Sequence, residues 1–218
     1  MRKFFSFFLT AIAIVSFTSC FDITEEITVK NDGSGQYVSR IDATKFAEQM
    51  QLFAAFDTTG EMIPKLKYSL DSTFSATWDT YRGAKGITNV KIDTTVAYIY
   101  VLTMDYANVT ALNSAIGLNK GASEQNLYSW EKGKISRKDT PLNLGDMKTE
   151  DESQQEMVKS FLKDMKYTII YHLPGNVKDM TNKDSKISAD KKSVTLECNL
   201  LDVIDNKVKL SNEVTYKK

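Results

Sequence analysis

Asp22-Ile23-Thr24-Glu25-Glu26-Ile27-Thr28-Val29-Lys30 runs into Asn31-Asp32-Gly33-Ser34-Gly35 and then Gln36-Tyr37-Val38-Ser39-Arg40-Ile41. In the first run Ile23, Ile27 and Val29 alternate with Thr24, Glu26, Thr28 and Lys30, the period-2 pattern of a strand with one buried face. The middle five residues tolerate the positive φ of a tight reversal, and Tyr37, Val38 and Ile41 then resume an extended pattern. The reading is an antiparallel hairpin at the start of the folded part of the chain.

Working outward toward the C-terminus, Asp42 can cap a helix that ends before Gly60, with Phe46, Met50, Leu52, Phe53 and Phe56 largely on one side. Leu66, Leu70, Phe74 and Trp78 fall at helical spacing between Pro64 and Gly86. Ile87 to Ile92 and Thr95 to Met104 read as strands. The second carries Val96, Tyr98, Tyr100, Leu102 and Met104 on one face and Ala97, Ile99 and Val101 on the other, the pattern of a strand that is central in its sheet or covered on both sides. Ala111 to Leu118 fits a short helix capped by Thr110, and Leu127 to Ile135 a hairpin around Gly133. Pro141 to Lys148 is loop. Thr149-Glu150-Asp151-Glu152 has the spacing of a capping box, leading into a stripe of Met157, Val158, Phe161, Leu162 and Met165. Tyr167, Ile169, Tyr171 and Leu173 alternate up to Pro174-Gly175, residues 183–192 read as an exposed connection, and Val194 to Leu200 and Val208 to Tyr216 as further strands. The expected architecture is α+β, one domain over residues 20–218, with a mostly antiparallel sheet and helices packed on one face. The aromatic stripe has two readings. It packs on the sheet, or some of Phe46, Met50, Phe53, Tyr98 and Tyr100 lines a cavity for an apolar ligand.

Upstream of the hairpin, Arg2 and Lys3 precede an apolar run from Phe4 to Val15 that is short for a membrane span. Phe17-Thr18-Ser19-Cys20 follows, and its small-small-Cys ending resembles a lipobox, with Phe17 where Leu is usual. That resemblance implies removal of residues 1–19 and acylation of Cys20 by a thioether-linked diacylglycerol, with a further acyl chain on its amine. One chain binds a membrane reversibly, whereas two or three hold a domain there. An ordinary secretory signal with an incidental Cys, or a single-span anchor, are the competing readings. Phe21 after the cleavage point resembles the sorting pattern of outer-membrane lipoproteins. Asp22, Glu25 and Glu26 would suit either a surface-export patch or the solvated face of the first strand. The periplasmic and cell-surface faces thus both stay open, with a short tether that keeps the domain near the bilayer.

Composition narrows the function classes. Lys plus Arg number 28 and Asp plus Glu number 28 over 218 residues, so no strong field exists to attract nucleic acid. With Cys20 acylated, Cys198 is the one thiol left, and no intramolecular disulfide can form. His172 is the single histidine, which makes a His- or Cys-based zinc site implausible, and no Gly-x-Ser-x-Gly turn presents a nucleophile. Cys198 alternates with Val194 and Leu196 and reads as a small hydrophobe. Asp71, Asp105, Asp146 and Asp202 fall at caps, turns and strand faces, although a glycosidase needs only one well-spaced carboxylate pair. Asn31-Asp32-Gly33 lacks the distant Glu of an EF-hand and reads as a turn. No cofactor or metal is expected.

Asp22 to Ile41 with its Gly-Ser-Gly turn, together with Tyr167-Thr168-Ile169-Ile170-Tyr171-His172-Leu173-Pro174-Gly175-Asn176-Val177, resembles the LppM-like bacterial lipoprotein domain. The resemblance implies an anchored α/β shell at the envelope, in contact with lipid or glycolipid, and no catalytic residues. The expected function is therefore a lipid-anchored, non-enzymatic binding or interaction module of the outer envelope, for a lipid, a glycolipid or an envelope protein. A structural or assembly subunit is the alternative, and a carbohydrate-active enzyme the third reading.

Overall fold

The computed structural model describes residues 21–54, 57–118, 126–139, 159 and 162–217. Cys20, the loop over 141–148 and the capping start at 149–152 lie outside the described residues, as does the side chain of Phe53. The strands are β1 (Asp22–Val29), β2 (Gly35–Asp42), β3 (Ile87–Asp93), β4 (Ile99–Tyr106), β5 (Tyr128–Glu131), β6 (Lys134–Arg137), β7 (Lys166–His172), β8 (Asn176–Met180), β9 (Lys186–Ile187), β10 (Ser193–Asn199) and β11 (Asn212–Lys217). The α-helices are α1 (Thr44–Ala54), α2 (Met62–Asp79, continued by a 3₁₀ turn, Thr80–Gly83), α3 (Val109–Leu118) and α4 (Leu200–Ile204). The fold is α+β, as the sequence pattern predicts.

The chain builds two sheets. One has seven strands in the order β3-β4-β2-β1-β7-β10-β9, the other four in the order β5-β6-β11-β8. All pairings are antiparallel except β1 with β7, whose register sets Ile23 beside Tyr167 and Ile27 beside Tyr171. The hairpin of β1 and β2 is as expected, with Ile27 opposite Tyr37. Its turn is closed by the Lys30 amide donating to the Ser34 carbonyl and by the Ser34 amide and hydroxyl donating to Asp32 Oδ1.

Gly35 is the conformationally demanding residue of this hairpin. It pairs with Tyr106, and a Cβ there would sit 1.8 Å from the Thr28 carbonyl oxygen and 2.4 Å from the Tyr106 hydroxyl. Tyr106 fills the space above it and donates to that same Thr28 carbonyl at 2.8 Å.

Burial follows the alternation. Ile27 and Val29, Tyr100 to Tyr106 in steps of two, Tyr167, Ile169 and Tyr171, and Val194 and Leu196 are all buried on one face of the large sheet. Against that face pack Trp78, Tyr81, Leu112, Ala115 and Ile116 from the helices and Ile135, Val214 and Tyr216 from the small sheet. The opposite face stays open. Every side chain on it across β2, β1, β7, β10 and β4 is half-buried or exposed, Val38, Val101 and Ile170 included. Of the two expectations for β4, the central place holds, since it lies between β3 and β2, and cover on both sides does not, because β-branched residues also suit a pleated surface facing water.

Other corrections are local. The β4 strand begins at Ile99, and Tyr98 stands before it at φ +63, a strained value for a bulky residue, with Val96 57% exposed. The α3 helix is capped by Asn108, whose Oδ1 accepts the Ala111 amide at 2.9 Å, and Thr110 lies within its first turn. The segment after Pro174-Gly175 is not all connection. Residues 176–180 form β8 and 186–187 the edge strand β9. The last strand starts at Asn212, after α4. Asp42 accepts the Thr44 amide at 3.1 Å as a cap should. Pro64 sits in the first turn of α2, where it forfeits no helical hydrogen bond.

Candidate functional site

The two ends of the large sheet differ. At one end lie the β1–β2 turn, the ends of β4 and β7 and the starts of β3 and β10. Three grooves open there and share residues. One of about 820 Å³ is lined by Thr80, Lys85, Gly86, Asn108, Thr110 and Ser114 among others. A second, about 300 Å³, shares Asn108 and Thr110 with it and continues over Asn126, Ser129 and Trp130 to Asp32. A third, about 530 Å³, takes up Asp32 with Lys30 and ends at His172 and Pro174. Together they make a track of shallow grooves across this end, built from turns, in which hydroxyl, carboxamide and charged groups sit among the carbon surface of Ala84, Ala111, Val29 and Leu173. Trp130 is fixed in it, because its indole nitrogen donates to the Tyr216 hydroxyl at 2.9 Å and its ring lies over Gly33, whose φ is +84.

His172 stands at one end of the track, on the open sheet face. Its Nε2 lies 2.9 Å from Glu26 Oε2 and its Nδ1 3.2 Å from Ser193 Oγ. A serine, a histidine and a carboxylate in line are the elements of a hydrolytic triad. Transition-state stabilisation needs backbone donors aimed beside the serine. Here the Ser193 amide already donates to Ser188 Oγ at 2.9 Å and the Lys192 amide to Asp190 Oδ1 at 3.0 Å. The geometry fits a cross-strand polar ladder tying β1, β7 and β10 together on their wet face.

Between the two sheets lies a polar cluster that the sequence pattern does not announce. Arg137, on β6, is 3% exposed. Its Nε donates to the Tyr128 hydroxyl at 3.3 Å and its Nη1 to the Leu210 carbonyl at 3.4 Å, and the Tyr128 hydroxyl donates to Glu25 Oε2 at 3.1 Å. Tyr167 and Tyr171 stand in the same field, and burial raises the hydroxyl pKa of Tyr37, Tyr128 and Tyr167 well above the ordinary value. The Tyr171 hydroxyl is buried with no hydrogen-bond partner among the described residues. Glu25 therefore points inward, while Glu26, its neighbour, faces out to His172. A buried charge held by one partner and several hydroxyls adds little net stability but fixes which strands face each other.

The candidate apolar residues are spread over the opposite end. Phe46 packs on Phe21 with ring centroids 4.8 Å apart, and Met50 is half-buried on the same helix. Tyr100 is fully buried, stacked 4.6 Å from Phe74 and donating to Asp71 at 2.9 Å. Tyr98 is half-buried, its carbonyl accepting from the Ala43 amide. None of the three grooves is lined by these residues. Cys198 is half-buried beside the Tyr167 carbonyl, and burial pushes its thiol up to about 11, which leaves almost no thiolate at neutral pH. Among the described residues no group of three or more His, Cys, Asp or Glu is placed to hold a metal ion, and no helix is long and apolar enough to cross a membrane.

No family model matches the chain, and no curated protein sequence does. Among solved structures it is similar in outline to the NMR structure of the Mycobacterium tuberculosis LppM protein folded domain, at 9% identity and a TM-score of 0.39, with 94% of this chain and 95% of that chain covered. A likeness at that level carries no argument about family or activity, so function has to be read from the chain's own surfaces.

Proposed function

We propose that the chain is a non-enzymatic binding module, acylated at Cys20 and held at the outer membrane, that presents the track of grooves at the far end of its large sheet to a ligand. The connected grooves from Lys85 through Asn108, Thr110 and Asp32 to His172 carry this reading. Shallow, open grooves that mix hydroxyl and carboxamide groups with carbon surface suit a sugar chain or a glycolipid headgroup, whose rings have both polar edges and apolar faces, better than an acyl chain, which needs an apolar enclosure. The leader ending Thr18-Ser19-Cys20 supports the address.

Native mass spectrometry of the acylated protein, incubated with envelope glycans and with detergent-extracted envelope lipids, tests it. A retained mass bearing sugar, lost in Thr110→Phe, is the expected result. Bare protein in every mixture sinks the ligand-binding reading. The open face of the large sheet, with Val38, Val101 and Ile170 half-exposed, favours a second reading as an assembly subunit. A photo-crosslinker at Val101 that captures one stoichiometric envelope protein would favour it. A crosslinker that yields none would remove it.

A further inference from the structure

We propose that the end of the domain opposite the track of grooves lies in the membrane interface, with Phe21, Phe46, Val96 and Tyr98 against the lipid. The inference rests on acylation at Cys20 and goes beyond it by assigning which surface meets the bilayer and how the domain is oriented.

Connectivity comes first. Phe21 is bonded to Cys20, and consecutive Cα atoms are about 3.8 Å apart. A Cys20 embedded by its acyl chains leaves no tether, so the residues around the start of β1 cannot stand away from the headgroups.

The structure then shows what gathers there. The last ladder row across the large sheet is Ile99, Asp42, Asp22, Lys166 and Asn199. Just beyond it, backbone hydrogen bonds join a second row. The Ala43 amide donates to the Tyr98 carbonyl, the Lys166 amide to the Phe21 carbonyl and the Leu200 amide to the Met165 carbonyl. The three residues whose carbonyls accept in this row, Tyr98, Phe21 and Met165, are all apolar or aromatic. Phe21, Phe46, Tyr98 and Met165 are half-buried, and Val96 stands 57% exposed at the tip of the adjoining turn. A tyrosine, with an apolar ring and a polar hydroxyl, prefers the level of the headgroups, which suits Tyr98, while Phe21, Phe46 and Val96 supply apolar surface beside it.

Several charges near this end are paired. Arg40 meets Asp42 at 3.0 Å, Lys166 meets Glu197 at 3.3 Å and Lys207 meets Asp202 at 3.7 Å.

The test uses the full chain, produced with its lipid modification and reconstituted in vesicles of phosphatidylethanolamine and phosphatidylglycerol. Val96→Cys and Asp32→Cys, each in a Cys198→Ala background, carry a nitroxide label. Circular dichroism checks the fold, and intact mass reads acylation of Cys20. Oxygen should relax the Val96 label several-fold more effectively than a water-soluble nickel chelate, with the reverse at Asp32. Acylated protein whose two labels are equally open to the chelate overturns the proposed surface while leaving the anchor intact. Unacylated Cys20 with the Val96 label still in lipid overturns the anchor and supports the surface. Unacylated protein with both labels in water overturns both.

Discussion

The two ends of the large sheet are made from the same strands and finish differently. At the end where β1 begins, the strands run out into Phe21, Ala43, Tyr98, Met165 and Leu200, a row of apolar residues drawn together by backbone hydrogen bonds. At the end where β1 stops, they run out into turns rich in Asn, Asp, Thr and Gly, which leave grooves between them. The strand interiors are alike in both halves, so the alternation that builds the core says nothing of what the ends do. Identity at the ends is set by a few residues just past each ladder, and it gives the domain a polarity along its strands.

This contrast can be broken or sharpened by substitution. The largest effect belongs to the grooved end. Gly35→Ala drives a methyl into the Thr28 carbonyl and the Tyr106 hydroxyl and should cost upwards of about 3 kcal/mol in urea denaturation. Gly60→Ala meets no atom within 4 Å and bears only its positive φ, so it should cost about 1 kcal/mol. Equal losses would show that Gly35 is not pinned by the Tyr106 contact. Between the ends, Arg137→Met leaves Glu25 and the buried hydroxyls without their cation and should cost about 2–3 kcal/mol. Combined with Glu25→Gln the loss should be less than additive, and strict additivity would sink the proposed coupling.

At the apolar end, Phe46→Ala removes a half-buried ring from Phe21 and should cost about 1 kcal/mol, read from the shift in the urea midpoint. The smallest effect is a pH dependence at Asp57. The Thr59 hydroxyl, followed by the Met62 and Thr59 amides, holds its carboxyl down to about 2 from an ordinary 3.8. Its folded-state value is depressed, so its contribution is complete above the ordinary value and fades as pH falls through about 2. The melting-temperature gap between the wild type and Asp57→Asn should narrow from pH 5 to pH 2, and a constant gap would refute the assignment.

Much of the fold is legible along the chain because the large sheet is buried on one face only, which writes a period of two into β1, β7 and β10. Helix positions follow from Asp42 and from the spacing of Leu66, Leu70, Phe74 and Trp78. What escapes is long-range. Nothing near Asn176 or Asn212 says that these segments leave the main sheet for a second one, and Arg137 looks like any surface charge until Tyr128 and Glu25 close around it. Val101 and Ile99 suggest a covered strand, yet their side of the sheet is open. The track of grooves is assembled from turns far apart in sequence, so no local motif marks it. One signal was available. Glu25 and Glu26 are neighbours on a strand, and alternation alone requires that one of them face the core.

The parallel pairing of β1 with β7 bears on how the molecule is made. A chain made from its N-terminus delivers β1 and its hairpin partner early, while the strand that completes β1 on its other side arrives only with the last third of the sequence. Until then the hairpin keeps one hydrogen-bonding edge of β1 unsatisfied. An open edge of this kind is where a stray strand would add. Holding factors that shield extended segments should therefore matter more to this protein than to one whose sheet closes in sequence order.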